Sequence, residues 1–256
     1  MCIRDREGVI GRLLDAEFGQ RMYFSPLRPW SWADTVATGG KFASPLPHVF
    51  AILEAVTGLP LQAVTGSMRP GRTRAPVVPE VTDVRQLPEK TPTAEAAAHL
   101  EWRVCDAESG VAALLRFGPP PGGARPHREG VPVSSVTASY MGRDDAPGTG
   151  LGSDLRLYGT EGTLVGQGYG SYTVSRYPAG GADAGPEALP VPQRLLESVP
   201  QLGDPLLNKW AALARDFLED VRGEPHAPYL TFYDGWRYQE AIDAIRAGGG
   251  WHTIPA

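Results

Sequence analysis

Cysteine is nearly absent from this sequence. Cys2 and Cys105 are the only two among 256 residues. Without CxxC spacing they read as reduced, incidental thiols of a cytoplasmic protein and not as a disulfide framework. An excess of positive charge is also missing: 24 Lys and Arg stand against 29 Asp and Glu, a net charge of −5. A nucleic-acid or polyanion partner wants a basic surface, so that class is excluded. No apolar run approaches the roughly 20 residues that a helical membrane span needs. Met1–Arg6 is polar with no apolar core after it, so no secretory leader is expected. His99, His127, His226 and His252 show no metal-ligand spacing to one another or to a cysteine, and no metal is expected. A G-x-G-x-x-G fingerprint after an early strand is lacking as well. The runs Gly148–Gly152 and Gly166–Gly170 have the wrong spacing and open no helix by pattern, whereas holding a pyrophosphate takes backbone N–H groups at a helix start.

What is plentiful is glycine and proline, at 31 and 25 residues. They gather near 118–130 and 178–192 and predict long loops there. Residues 9–18 read as a first strand, followed by a loop carrying Tyr23, Trp30 and Trp32. The spacing of Leu46, Val49, Phe50, Leu53 and Val56 predicts a helix over 44–57 with one apolar face. Ser44 suits its N-cap, Pro45 its first position, and Gly58 its left-handed end. Residues 99–104 and 111–117 alternate, and with the turn Asp106–Gly110 between them they predict an antiparallel hairpin. Val136, Ala138 and Tyr140 mark another strand, and Leu155–Tyr158 and Thr163–Val165 flank the turn Gly159–Gly162. Two helices close the chain. Trp210, Leu213, Ala214, Phe217, Leu218 and Val221 form a stripe at helical spacing, read as core. Asp234 is expected to cap the last helix, with Ala241, Ile242 and Ile245 inside and Gly248 past its end. Strands clustered between helices predict an α+β fold: a large, open, mostly antiparallel or mixed sheet with helices on one face.

Several short motifs, taken in order, resemble the second domain of the Gfo/Idh/MocA oxidoreductases. Gly8-Val9-Ile10-Gly11 is similar to the segment after that family's interdomain helix. Asp34 and Gly39-Gly40 resemble the approach to its substrate-site helix, on which His48 falls at the substrate-site histidine. Leu157–Leu164 resembles its strand–turn–strand signature, and Asp234-Gly235 its last helix. The resemblance runs from residue 7 to 256 and implies the substrate-binding and oligomerisation half of an oxidoreductase. Such an enzyme uses NAD or NADP to oxidise a sugar, polyol or related carbonyl compound. The nucleotide-binding half and the Glu-Lys-Pro motif with its lysine are not in the chain, which implies no activity alone. The first six residues resemble a translated sequencing-adapter remnant, and a truncated N-terminus is expected.

The resemblance makes His48 the catalytic base. A family aspartate one helical turn earlier would orient it, but that position is Ser44, whose hydroxyl cannot supply the negative charge. Ser44 reads as a cap or as a substrate contact, and the two roles are compatible. Lys41 stands where many relatives have a third glycine and would either reach a substrate carboxylate or phosphate or remain solvated. Tyr23, Trp30 and Trp32 would form a sugar-stacking wall or pack beneath a long loop, with Arg28 a weaker candidate for the same rim. The other reading is a non-catalytic assembly module, a homo-oligomer joined through the open sheet at Glu101, Arg103, Thr137 and Ser139.

Overall fold

The computed structural model describes residues 8–79, 81, 86–118, 134–142, 152–168, 173–179 and 185–255. The loop expected near 118–130 falls almost wholly outside them, as do the first six residues and 180–184.

Alternating apolar residues build one large sheet. Its strands are β1 (Leu13–Phe24), β2 (Leu61–Pro70), β5 (Glu108–Phe117), β6 (Ser134–Gly142), β7 (Gly152–Gly159), β8 (Gly162–Gly168), β9 (Thr173–Pro178), β10 (Glu187–Leu189) and β11 (His252–Thr253). Their order is β10-β9-β8-β7-β1-β6-β5-β2-β11. Among the described residues only β1 and β6 pair in parallel, so the sheet is mixed but mostly antiparallel, as expected. A separate ribbon pairs β3 (Arg74–Pro76) with β4 (Trp102–Val104).

One face of the sheet is covered by α1 (Pro45–Thr57) and, at the C-terminal end, by α5 (Phe232–Ala247). The predicted faces of both helices are buried: Leu46, Val49, Phe50, Leu53 and Val56 on the first, Ala241, Ile242 and Ile245 on the second. They meet Phe18, Val64, Val111, Leu115, Val136, Leu155 and Leu157 from the strands in one core. Two sequence motifs far apart also meet. Glu161 N donates to Ile10 O at 2.9 Å and Thr160 N to Arg12 O at 3.0 Å, so the Gly8–Gly11 turn sits on the β7–β8 hairpin. A side chain on Gly159 would put its Cβ 2.1 Å from Ile10 O, so the approach itself requires glycine there.

The remaining helices are α2 (Ala94–Ala97), α3 (Gln193–Glu197) and α4 (Pro205–Val221).

Five expectations need correction. The first strand starts at Leu13, because Gly8 and Gly11 hold positive φ and turn the chain. Residues 99–104 and 111–117 do not pair as a hairpin: β4 goes to β3, whereas β5 lies between β2 and β6. Glu101 and Arg103 therefore lie off the large sheet, in an exposed 3.2 Å ion pair of their own. Thr231, not Asp234, caps α5. Asp234 is the third helical residue and accepts from Thr231 N at 2.8 Å, closing a capping box. Finally, Trp210 and Phe217 are not core: they are 62% and 51% exposed. A stripe at helical spacing says that something apolar is meant to cover it, but the place on the sheet is already filled by α1 and α5.

Candidate functional site

The loop from Ser25 to Ala43 must deliver α1 in a fixed pose, and two buried carboxylates do this. The first is Asp34, 2% exposed. Its Oδ2 accepts from Ser31 N at 3.0 Å and Ser31 Oγ at 3.2 Å, which closes the 3-10 turn Trp32–Asp34. Its Oδ1 accepts from Lys41 Nζ at 2.8 Å, and Arg72 reaches both oxygens at 3.2 and 3.1 Å. The same guanidinium donates to the carbonyls of Pro26, at 3.1 Å, and Pro29, at 3.2 Å, so one arginine gathers the start of the loop onto one acid. Lys41 is thus neither solvated nor loose: it is 13% exposed and paired.

Burial alone would raise the pKa of Asp34. Hydrogen bonds and charge from Lys41 and Arg72 outweigh it and hold the carboxyl below its ordinary value of 3.8. A depressed carboxylate contributes stability that is present above its unfolded pKa and is lost as pH falls through the folded one. Urea midpoints are therefore expected to fall as pH drops below about 4, and the Asp34→Asn variant is expected to lack this component. An equal acid dependence in both proteins would count against the assignment.

The second carboxylate is Glu108, 4% exposed. Its Oε1 accepts from Arg246 Nη2 at 3.0 Å and from Phe42 N at 3.4 Å. Arg246 also donates to Gly39 O at 2.9 Å, so α5 grips the glycine pair before α1. Gly40 has φ +74, and a Cβ there would lie 2.7 Å from both carboxylate oxygens. Only glycine meets both demands. Gln239 Nε2 donates to Ala43 O at 2.9 Å and completes the tie between α5 and the loop.

On this seat stands His48, in the first turn of α1, exposed and with no hydrogen-bond partner among the described residues. Ser44 is also exposed. It has helical φ −93 and ψ −50 and makes no side-chain cap bond, so the capping role expected of its hydroxyl is not realised. Leu46 N bonds Phe42 O instead, at 3.2 Å. Trp32 is 46% exposed. Trp30 is half-buried, with the Arg103 guanidinium 5.2 Å from its ring centre, and packs under β4. Arg28 is half-buried and its carbonyl takes a hydrogen bond from Arg72 at 2.5 Å. Tyr23 lies in β1, and its side chain falls outside the described residues. Burial, then the charge of Asp34, pushes the Cys105 thiol up, which keeps it protonated and unreactive. Among the described residues no group of three or more His, Cys, Asp or Glu would hold a metal ion, and no helix is long and apolar enough to cross a membrane.

Arg72, Glu108 and Arg246 escaped sequence reasoning. Their partners lie 38 and 138 residues away, beyond any local pattern. Glu108 left one signal, a lone acid at the head of an alternating strand.

No family model and no curated protein matches the sequence. Solved structures do match its fold. Levoglucosan dehydrogenase, solved with NADH and L-sorbose, superposes with a TM-score of 0.67 at 21% identity, covering 99% of this chain and 62% of that one. An NAD-binding oxidoreductase from Klebsiella pneumoniae gives 0.68 at 19% identity, again covering 99% and 62%. The super-repressor mutant of Gal80p from Saccharomyces cerevisiae gives 0.63 at 11% identity, covering 95% and 57%. At these identities the shared property is the fold, and the chain spans about three fifths of the length of each neighbour: it is built on an α+β architecture that NAD-binding oxidoreductases also use.

Proposed function

We propose that this chain is the substrate-binding half of an NAD(P)-dependent oxidoreductase acting on a sugar, polyol or related carbonyl compound, and that it is inactive alone. The observation that carries this reading is His48, an exposed imidazole without a hydrogen-bond partner among the described residues, on a helix start held by two buried carboxylates. Two buried acids, each paired with a cation, are more than a plain helix start requires, and a proton-transfer group gains from being held in one pose.

The chain's described residues do not fit the nucleotide. Gly166 and Gly168 lie in strand β8, not before a helix, so they offer no cradle of N–H groups for a pyrophosphate. The nicotinamide would come with another part of the enzyme and would supply the hydride acceptor. Within this chain, His48 would take the hydroxyl proton of the substrate on an imidazole nitrogen as the alcohol becomes a carbonyl. Lys41 would orient a polar group while Asp34 fixes its ammonium. Ser44 would offer a hydroxyl to the same substrate, and the exposed Trp32 would pack on the apolar face of a sugar ring. With Ser44 in place of an acid, no carboxylate in the first turn of α1 orients the imidazole.

The test joins the chain at Gly8 to the part of levoglucosan dehydrogenase that the match leaves uncovered and measures NAD(P)+ reduction with a panel of sugars and polyols. His48→Ala is expected to lower kcat by roughly 10²–10⁴-fold with little change in unfolding midpoint. Full activity in that variant would remove His48 from the role. Turnover by the 256-residue chain on its own would overturn the claim that it is inactive alone.

One observation favours assembly as a further role. On the uncovered face of the sheet, Gly19, Thr137, Ala112 and Ser67 are neighbours in register, a flat band of small residues across four strands. Ala112→Arg is expected to lower the mass seen by light scattering if this face joins two copies, and an unchanged mass argues against it.

A further inference from the structure

Helix α4 carries its apolar stripe into solvent. Trp210, Leu213, Phe217 and Val221 follow one another at steps of three and four residues, and they are 62%, 41%, 51% and 68% exposed. Single exposed apolar residues are ordinary, but four in a row on one helical face mark a surface that is covered in use. The stripe does not stand apart. Leu213 forms one wall of a groove of about 860 Å³ whose other walls are Ala51, Ile52 and Ala55 of α1 and Tyr229 and Leu230 before α5. Phe217 meets the Tyr229 ring edge-on at 6.2 Å between centres.

The groove's α1 wall is the continuation of the proposed active face. His48, Ala51, Ile52 and Ala55 lie three, four and seven residues apart, on one side of the helix. Whatever body presents a nicotinamide to His48 must lie over this side of α1, and the groove is the next one to two turns along it. We propose that the α4 stripe and the α1–α4 groove are the docking surface for the nucleotide-binding half of the enzyme. This inference rests on the oxidoreductase reading given above.

Two observations favour that occupant over a second copy. Levoglucosan dehydrogenase, which binds NADH, and the NAD-binding oxidoreductase from Klebsiella pneumoniae have further chain beyond this fold, since the match covers 62% of their length. The groove also lies on the helix-covered side, whereas the band of small residues suited to a second copy lies on the opposite face of the sheet. Aliphatic and aromatic side chains line the groove together with Glu54, Asp216, Asp234 and Arg237, a mix that suits a contact between domains.

Hydrogen–deuterium exchange tests this, comparing the 256-residue chain with the same chain joined at Gly8 to the uncovered part of levoglucosan dehydrogenase. Joining is expected to slow amide exchange in α4 and in the Ala51–Ala55 turn by roughly tenfold or more, with β5 unchanged. Phe217→Glu should remove that gain while leaving β5 protected, which separates lost docking from lost folding. Nicotinamide reduction is read on the same samples. Protection without turnover leaves docking standing and takes away the redox reading. Turnover that dies with His48→Ala, yet survives Trp210→Glu and Phe217→Glu with α4 unprotected, takes away docking alone. If α4 is already protected in the isolated chain, and Phe217→Glu halves its mass by light scattering, a second copy fills the groove and the proposal falls.

Discussion

Asp34→Ala is expected to destabilise the chain by about 3–5 kcal/mol, the range for breaking a buried ion pair by removing one partner. The variant would leave two cations, Lys41 at 13% and Arg72 at 19% exposure, without their counter-charge. It would also release Ser31 N and Oγ, which close the 3-10 turn. Against a total stability of about 5–15 kcal/mol this is a large share. Urea unfolding at neutral pH measures it. Asp34→Asn keeps an acceptor for Ser31 but not the charge, and should fall between wild type and alanine. A loss under about 1 kcal/mol for alanine would mean that water reaches both cations and that the cluster is a surface feature. Because the clamp holds the loop that leads into α1, its loss should also loosen the path to His48, so Asp34 is a positioning residue for the proposed chemistry.

Glu54→Ala is expected to cost about as much, roughly 3–5 kcal/mol, at the other end of α1. Glu54 Oε1 accepts from Leu61 N at 2.6 Å and from Arg237 Nη1 at 3.4 Å, and Oε2 accepts from the Tyr238 hydroxyl at 2.5 Å. Arg237 is 5% exposed and Tyr238 1%, so water replaces neither interaction. Arg237 also donates to Leu61 O and Pro255 O, both at 2.7 Å, which ties α5 to β2 and to the C-terminal segment. Burial, then the hydrogen bond to Glu54, raises the Tyr238 pKa, so the phenol stays protonated and remains the donor. The charge argument has an internal check. Tyr238→Phe removes one hydrogen bond and should cost only about 1 kcal/mol. Replacing both Glu54 and Arg237 by apolar residues of similar volume should recover much of the single-variant loss, since no charge is then left buried and unpaired. A double variant as unstable as the sum of its singles would show that the two residues act independently.

The local part of this architecture was legible in the sequence. The inner faces of α1 and α5, the left-handed end at Gly58, the positive-φ end at Gly248, the β7–β8 turn and the alternation of Val111–Phe117 follow from side-chain period and turn chemistry, which depend on residues a few positions apart. The same stripe in α5 runs one turn further back than expected, to Tyr238, whose hydroxyl hides its place in the pattern. His48 became a candidate only by resemblance, since a histidine on an apolar helix carries no mark of use. Pairing was harder to see. β4 alternates as β5 does, yet it joins a different sheet, because the partner of a strand is chosen by the whole fold and not by its own residues.

By itself the sequence determined which segments coil, which extend, which faces are apolar and where the chain must turn. It also determined that no cradle for a nucleotide follows an early strand. Only the tertiary structure decided what those faces meet. It filled the sheet with α1 and α5 and left α4 exposed, since one sheet face has room for a limited number of helices. It also brought Asp34 to Lys41 and Arg72, and Glu108 to Arg246, across long stretches of chain. Charges that far apart in sequence leave no periodic trace, and they find each other only when a core has excluded the water that would otherwise hold them.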